Sequence, residues 1–98
     1  MIMMTDAVKQ QIGKARQLMA QNSIDEAIKL LTAVIDANPD ADEAYFVRGT
    51  AYHRQGQVRL AISDYCQAKL INPDSPASQA YDASIEVLNF FNTDLYNP

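Results

Sequence analysis

Apolar residues recur along this chain at the intervals of three and four that are typical of amphipathic α-helices. Pro39 and Pro73 interrupt the pattern, because proline lacks an amide hydrogen and disfavours helical geometry in the residue before it. Only three Gly and four Pro occur in 98 residues, which is too few for the tight turns of a small β-barrel or β-sandwich. The pattern therefore predicts an all-α fold. The longest apolar stripe consists of Ile24, Ala27, Ile28, Leu31, Val34 and Ile35.

The same pattern occurs twice, with a shift of 34 residues. The turn sequence Asn-Pro-Asp at 38–40 returns at 72–74, and Ala27-Ile28 aligns with Ala61-Ile62. A period of this length indicates a solenoid of helical hairpins, in which each repeat buries its apolar face against its neighbour. Side-chain size is also retained at further pairs, namely Ala15 with Gly49, Leu18 with Tyr52, Ile24 with Val58, Leu31 with Tyr65 and Val34 with Ala68.

Several short signals predict where the helices begin and end. Gly56 ends the first helix of the second copy, because glycine tolerates the left-handed conformation that closes a helix, and Asn22 has the same place in the first copy. Ser23 with Glu26, and Asp40 with Glu43, have the spacing of capping boxes. Ser75-Pro76 predicts the start of a fifth helix, through an N-cap serine and a first-turn proline.

The second copy contains Tyr45-x-x-Arg48-Gly49-x-x-Tyr52, then Ala61 and an aromatic residue four positions later, then Pro73. This series resembles the signature of the tetratricopeptide repeat (TPR) family. The first copy departs from the signature at Gln11, where a large apolar residue is expected. The resemblance implies one domain over residues 1–98, an α-solenoid of two TPR hairpins and about five helices. Its parts are repeat 1 at about 6–39, repeat 2 at about 40–73, a capping helix at about 75–92 and an apolar tail at 93–98.

The fifth helix departs further from the family pattern. Gln79 and Glu86 stand where the earlier copies have large packing residues, and only Ala83 retains the small position. Terminal repeats need a polar outer face to keep a solenoid soluble, so we interpret this segment as a capping helix. We expect its apolar residues Tyr81, Ile85, Leu88 and Phe91 to cover the second repeat.

In TPR folds the first helix of each hairpin lines a concave groove, and the resemblance therefore implies which residues would bind a partner. This stripe combines apolar and positively charged residues, which suits an extended or helical peptide with a carboxylate. The alternative is that the stripe is simply solvated. Thr50 and Ser84 replace the asparagine or basic residues of chaperone-tail-binding TPR proteins, so we do not expect that ligand. The predicted groove consists of Lys9, Ile12, Arg16, Met19, Glu43, Phe46, Thr50, His53 and Arg54, and the fifth helix would add Ala77, Ala80 and Ser84.

Arg48 and Asp64 are predicted to form an ion pair across the second hairpin. The alternative is two solvated surface charges, and an exposed pair would contribute less than about 1 kcal/mol.

Composition and charge exclude several classes of function. The net charge of −4 gives no strong positive field for nucleic acid or an anionic membrane. His53 and Cys66 are the only histidine and the only cysteine, and they are predicted on different helices, so they do not form a nucleophile and its base. No metal constellation or glycine-rich phosphate loop occurs, and we expect no cofactor and no catalytic site.

A single cysteine and an acidic N-terminal segment without a signal-length apolar stretch predict a soluble cytoplasmic protein.

The leading hypothesis is therefore a non-catalytic scaffold or adaptor that binds a peptide or helix of a partner protein in the groove. A second hypothesis is structural: the chain forms a homodimer through its convex face or through the C-terminal helix and tail around Phe90, Phe91, Leu95 and Tyr96. A small hydrolase or transferase has no supporting group of residues.

Overall fold

The protein forms five α-helices. The computed structural model describes the backbone of residues 5–91 and the side chains of residues 5–86, and this backbone contains no β-strand. The all-α prediction is thus confirmed. The helices are α1 (Asp6–Ala20), α2 (Ile24–Ala37), α3 (Asp42–Arg54), α4 (Val58–Ile71) and α5 (Ala77–Phe91).

The helices are arranged as two consecutive hairpins and a final helix. Helix α1 packs against α2, and α3 packs against α4, each pair being joined by a short turn. Helix α3 also contacts both helices of the first hairpin, and α5 packs chiefly against α4. The predicted repeat boundaries near 39 and 73 fall in the turns that separate these units.

The two hairpin turns have the same hydrogen-bonding pattern. After α3, the amide of Gly56 donates to the carbonyl of His53 and the amide of Gln57 donates to that of Tyr52. After α1, the amides of Asn22 and Ser23 donate to the corresponding carbonyls, those of Met19 and Leu18. Both are Schellman motifs, in which one residue adopts positive φ. Asn22 has φ of 66° and Gly56 of 78°, so the predicted helix ends are confirmed.

The predicted capping boxes are wrong. Ser23 precedes α2 but makes no side-chain cap, and its backbone (φ −89°, ψ 62°) is not in the extended conformation typical of capping. Its amide, which a capping box would pair with Glu26, instead donates to the carbonyl of Leu18 in the Schellman motif. Helix α3 begins two residues after Asp40, and Ala41 is its N-cap. The observed side-chain caps are Thr5, which accepts from the amide of Val8, and Ser75, which accepts from that of Ala77.

Small residues allow α3 and α4 to approach closely. A Cβ atom at Gly49 would lie 2.7 Å from Cε1 of Tyr65 and 3.2 Å from the carbonyl oxygen of Ala61. Because real Cβ contacts are not this short, only glycine fits between these helices without a shift of the Tyr65 ring. Ala15, Ala27 and Ala61 are likewise fully buried.

Helix α5 exposes one of its faces. Gln79, Ala83 and Glu86 are exposed, whereas Ala77 and Ser84 are buried. These exposed positions lie 34 residues after the positions through which α3 packs against α4. The described part of the chain has no sixth helix to cover this face. Tyr81 and Ile85 are half-buried, and the predicted contacts of Leu88 and Phe91 lie outside the described side chains.

Candidate functional site

Arg48 joins three helices beneath the surface. Its Nε and Nη2 atoms donate to the two carboxylate oxygens of Asp64, each at 2.7 Å, and Nη1 donates to the hydroxyl of Thr32 on α2 at 3.2 Å. The guanidinium carbon also lies 5.7 Å and 5.8 Å from the ring centroids of Tyr45 and Tyr52. The predicted ion pair is confirmed, and it is largely shielded from solvent, since the side chains of Arg48 and Asp64 are 17% and 6% exposed.

The environment of Arg48 fixes its charge. The hydrogen bond with Asp64 raises the pKa of the Arg48 guanidinium, and this effect outweighs burial, which acts in the opposite direction. A raised pKa means that the arginine stays protonated, and its contribution to stability would be lost only as the pH rises through that value. All the hydrogen bonds of this cluster are internal, so it connects the hairpins and offers no ligand site.

A depression of about 330 Å³ lies between the first helices of the two hairpins. Its apolar lining comes from Met19, Phe46 and Val47, and Arg16 and Arg54 stand at its edge. Such a combination of an apolar surface with a few polar groups is typical of binding sites. Ala20 and Thr50 complete the lining.

Hydrogen bonds and ring contacts hold the walls of this depression. The Thr50 hydroxyl donates to the Phe46 carbonyl at 3.0 Å and accepts from the Tyr65 hydroxyl at 3.3 Å. The rings of Phe46 and Tyr65 lie 5.8 Å apart at an angle of 42°. Nη1 of Arg54 donates to the Met19 carbonyl of α1 at 3.2 Å. The positions of Phe46 and Arg54 are therefore set by their own helix and by two neighbouring helices.

A second depression, of about 320 Å³, adjoins the first at Arg16 and Phe46. It lies at the beginning of α3 and is bounded by Asp42 and Glu43. Glu43 accepts a hydrogen bond from Nη2 of Arg16 at 3.0 Å, and this ion pair spans the junction of the two depressions. Asn72, Ser75 and Pro76, from the turn before α5, complete the lining. We call the two depressions together the groove.

The structure places six of the nine predicted groove residues in this groove. Ile12 is only 1% exposed and belongs to the core, so it is not part of the surface. Lys9 and His53 are exposed but do not line either depression. The six are Arg16, Met19, Phe46, Thr50 and Arg54 in the first depression and Glu43 in the second.

The sequence prediction missed the contribution of the turn before α5. The sequence indicates only a repeated turn at Asn72 and a helix start at Ser75, but the side-chain amide of Asn72 donates to the carboxylate of Asp42 at 3.2 Å and so joins the turn to α3. The repeat could have predicted this contribution, because in each copy the Asn-Pro turn leads directly to the first helix of the following unit. The additional predicted residues Ala77 and Ser84 are buried, and Ala80, which is half-buried, lines neither depression.

Among the residues that the structure describes, no group of three His, Cys, Asp or Glu side chains is placed to hold a metal ion. His53 is exposed on α3 and Cys66 is half-buried on α4. Over the same residues, no helix is both long and apolar enough to cross a membrane.

These features define a protein of stacked helical hairpins with a groove along the first helices. The model of the tetratricopeptide repeat family matches residues 12–76. The mouse tetratricopeptide repeat protein 16 is 28% identical over 89 residues, which cover 91% of this chain and 12% of that protein. The solution NMR structure of the Bacteroides fragilis protein BF1650 superposes with a TM-score of 0.78, at 38% identity and 89% coverage of both chains. The chain belongs to the tetratricopeptide repeat family, whose repeats are in general protein-interaction modules.

Proposed function

We propose that this chain is a non-catalytic adaptor that binds a peptide or helix of a partner protein in the groove. The observation that carries the proposal is the half-buried ring of Phe46, which lines both depressions beside the two arginines. An aromatic residue held by its neighbours provides apolar contact area with little loss of conformational entropy on binding. The arginines would then fix the position of acidic groups on the partner.

Selection of peptides from a random displayed library tests this proposal, because no knowledge of the natural partner is needed. The selected peptides are titrated into isotope-labelled protein, and amide chemical shifts report the surface that they contact. We expect the largest shifts at Met19, Phe46 and Thr50. We also expect Phe46→Ala to weaken binding by about tenfold or more, as loss of an aromatic anchor does elsewhere. Leu70→Ala, which truncates an exposed apolar residue on α4, is the matched control.

Two results would contradict the proposal. One is a library that yields no binder, and the other is a set of binders whose shifts map outside the groove and whose affinity is unchanged by Phe46→Ala.

Self-association is the second candidate, and one observation favours it. Leu70 is 72% exposed and Leu60 is 45% exposed, and both project from α4. Leu70 borders a depression of about 370 Å³ between α4 and α5, so a second copy would have an apolar surface to cover. The side chains of the C-terminal residues named in this hypothesis lie outside those that the structure describes. Sedimentation velocity over a range of concentrations would show a dimer that Leu70→Gln disrupts and Phe46→Ala does not.

The proposal also includes the absence of catalytic activity and the cellular location of the protein. Tetratricopeptide repeat proteins are typically non-catalytic scaffolds, and we propose that this chain acts without a cofactor or an active site of its own. A single cysteine is consistent with our proposal of a reducing, cytoplasmic location.

A further inference from the structure

The groove carries opposite charges at its two ends. Arg54 stands at the end of α3 and is exposed, whereas Asp42 and Glu43 stand at the start of the same helix. The apolar ring of Phe46 lies between them. Residues 43 and 54 are separated by three turns of helix, or about 16 Å at a rise of 1.5 Å per residue. The charges are therefore far enough apart to contact different residues of one ligand.

Arg16 does not change this order of charges. It is the one arginine that borders both depressions, but its guanidinium already pairs with Glu43 at 3.0 Å. The side chains of Arg16 and Glu43 are 51% and 38% exposed, so each retains surface for a ligand. Within the described residues Asp42 and Arg54 form no ion pair, so the end at Asp42 and Glu43 keeps a net negative charge despite Arg16, and the end at Arg54 keeps a positive one.

We infer that the partner segment is itself dipolar: an acidic end for Arg54, an apolar residue over Phe46 and a basic end for Asp42 and Glu43. This inference rests on the proposed function and specifies its ligand. The distance fits a helix of about 11 residues or an extended segment of about five residues. A uniformly acidic segment meets repulsion at Asp42 and Glu43, and a uniformly basic one meets repulsion at Arg54. Opposed charges of this kind are a common source of specificity between otherwise similar ligands.

Five synthetic peptides of 11 residues test the inference. All have a central leucine in an alanine spacer and six charged residues at the ends. Two peptides separate three glutamates from three lysines, in the two possible orders, because the groove fixes the place of each charge but not the direction of the ligand chain. The third alternates the same six charges, the fourth has six glutamates and the fifth has six lysines. The alternating peptide controls for composition and net charge.

We expect at least one charge-separated peptide to bind about three- to tenfold more tightly than the other three, as measured by amide chemical-shift titration at low salt. This range corresponds to one or two exposed charge pairs. The advantage should disappear in about 1 M NaCl, because salt screens exposed charges. The inference is overturned if the alternating peptide binds equally well, or if the six-lysine peptide binds best, as attraction by the net charge of −4 alone would cause.

Two variants test whether Glu43 and Arg54 supply the opposite charges of the groove. Glu43→Gln should improve binding of the six-glutamate peptide by about threefold, since it removes one repulsion and releases Arg16. Arg54→Gln should improve binding of the six-lysine peptide by a similar factor. Glu26→Gln and Arg59→Gln remove the same charges from exposed positions outside the groove and should leave the order of affinities unchanged. Thermal melts of all four variants exclude loss of folding as the cause.

The outcomes also separate this inference from the proposed function. If library-selected peptides bind the groove and the five synthetic peptides show no effect of charge order, only the dipolar ligand is overturned. If neither set binds, both proposals fall.

Discussion

The two boundaries between successive units of the stack use equivalent positions in different ways. At the inner boundary, between α2 and α3, Ile35 and Val47 are buried and Arg48 donates to Thr32. At the outer boundary, between α4 and α5, the residues 34 positions further on are Lys69, Tyr81, Asp82 and Cys66. Two buried apolar side chains and a partly buried hydrogen bond are thus replaced by polar or partly exposed side chains.

The outer boundary is correspondingly more open. Lys69 lies 5.0 Å from the centroid of the Tyr81 ring and 3.8 Å from Asp82, and the charged side chains are 41% and 68% exposed. A depression of about 370 Å³ remains beside them. Exposed ion pairs contribute little to stability, and apolar surface that stays exposed contributes little through burial. We therefore expect the stack to be more stable between its two hairpins than between α4 and its final helix.

The largest difference is expected between Asp64, the carboxylate of α4 that holds Arg48 in place at the inner boundary, and Asp82 at the outer boundary. Asp64→Ala leaves the partly buried Arg48 without its carboxylate partner, and removal of one member of a buried pair costs up to about 3 kcal/mol. Asp82→Ala, at the position equivalent to Arg48, breaks only an exposed pair and should cost less than about 1 kcal/mol. Urea denaturation measures both. Equal losses for the two variants would mean that the Arg48 cluster is not a special source of stability.

The apolar contacts should show the same contrast. Ile35→Ala creates a cavity at the inner boundary and should lower the free energy of unfolding by about 2 to 3 kcal/mol. Lys69→Ala, at the equivalent outer position, removes a cation–π contact and an exposed charge, and should cost about 1 kcal/mol or less. The urea midpoints should shift without a change in the denaturant slope. A larger loss for Lys69→Ala would reverse the order of strength that we assign to the two boundaries.

The α3–α4 hairpin supports both boundaries, so a change inside it should weaken both. Gly49→Ala would place a methyl group 2.7 Å from the Tyr65 ring, and we expect a net loss of about 1 to 2 kcal/mol, because overpacking exceeds the gain in helix propensity. Gly13→Ala is the matched control, since nothing lies within 4 Å of its new Cβ atom and it should gain up to about 1 kcal/mol. Hydrogen exchange would show faster opening of both α2 and α5 in the Gly49 variant. Stabilisation by Gly49→Ala would contradict the close approach.

Apart from the two capping boxes, the features set within one turn or one hairpin were predictable, and those determined by a neighbouring helix of another unit were not. Asn22 and Gly56 end their helices through bonds within one turn, and the Arg48–Asp64 pair lies within one hairpin, so each followed from local pattern and spacing. Ile12 and Phe46 occupy equivalent repeat positions, yet Ile12 is buried and Phe46 is half-exposed. Helix α3 packs against α1, whereas α5 packs chiefly against α4, and a pattern repeated along the chain cannot express this difference.

The smallest effect should come from the hydrogen bond at the inner boundary. Thr32→Val keeps the shape of the side chain but removes the acceptor for Nη1 of Arg48, at a cost of about 1 kcal/mol. Cys66→Val makes a similar change at the equivalent outer position, where the half-buried side chain borders the open depression, and should change stability by less than about 0.5 kcal/mol. Urea denaturation measures both variants.

A double-mutant cycle assigns the loss to the bond itself. In an Arg48→Met background, Thr32→Val should have no further effect, because the donor is already absent. If Thr32→Val costs the same with and without Arg48, its effect arises from packing in α2, and the hydrogen bond contributes nothing to the greater strength of the inner boundary.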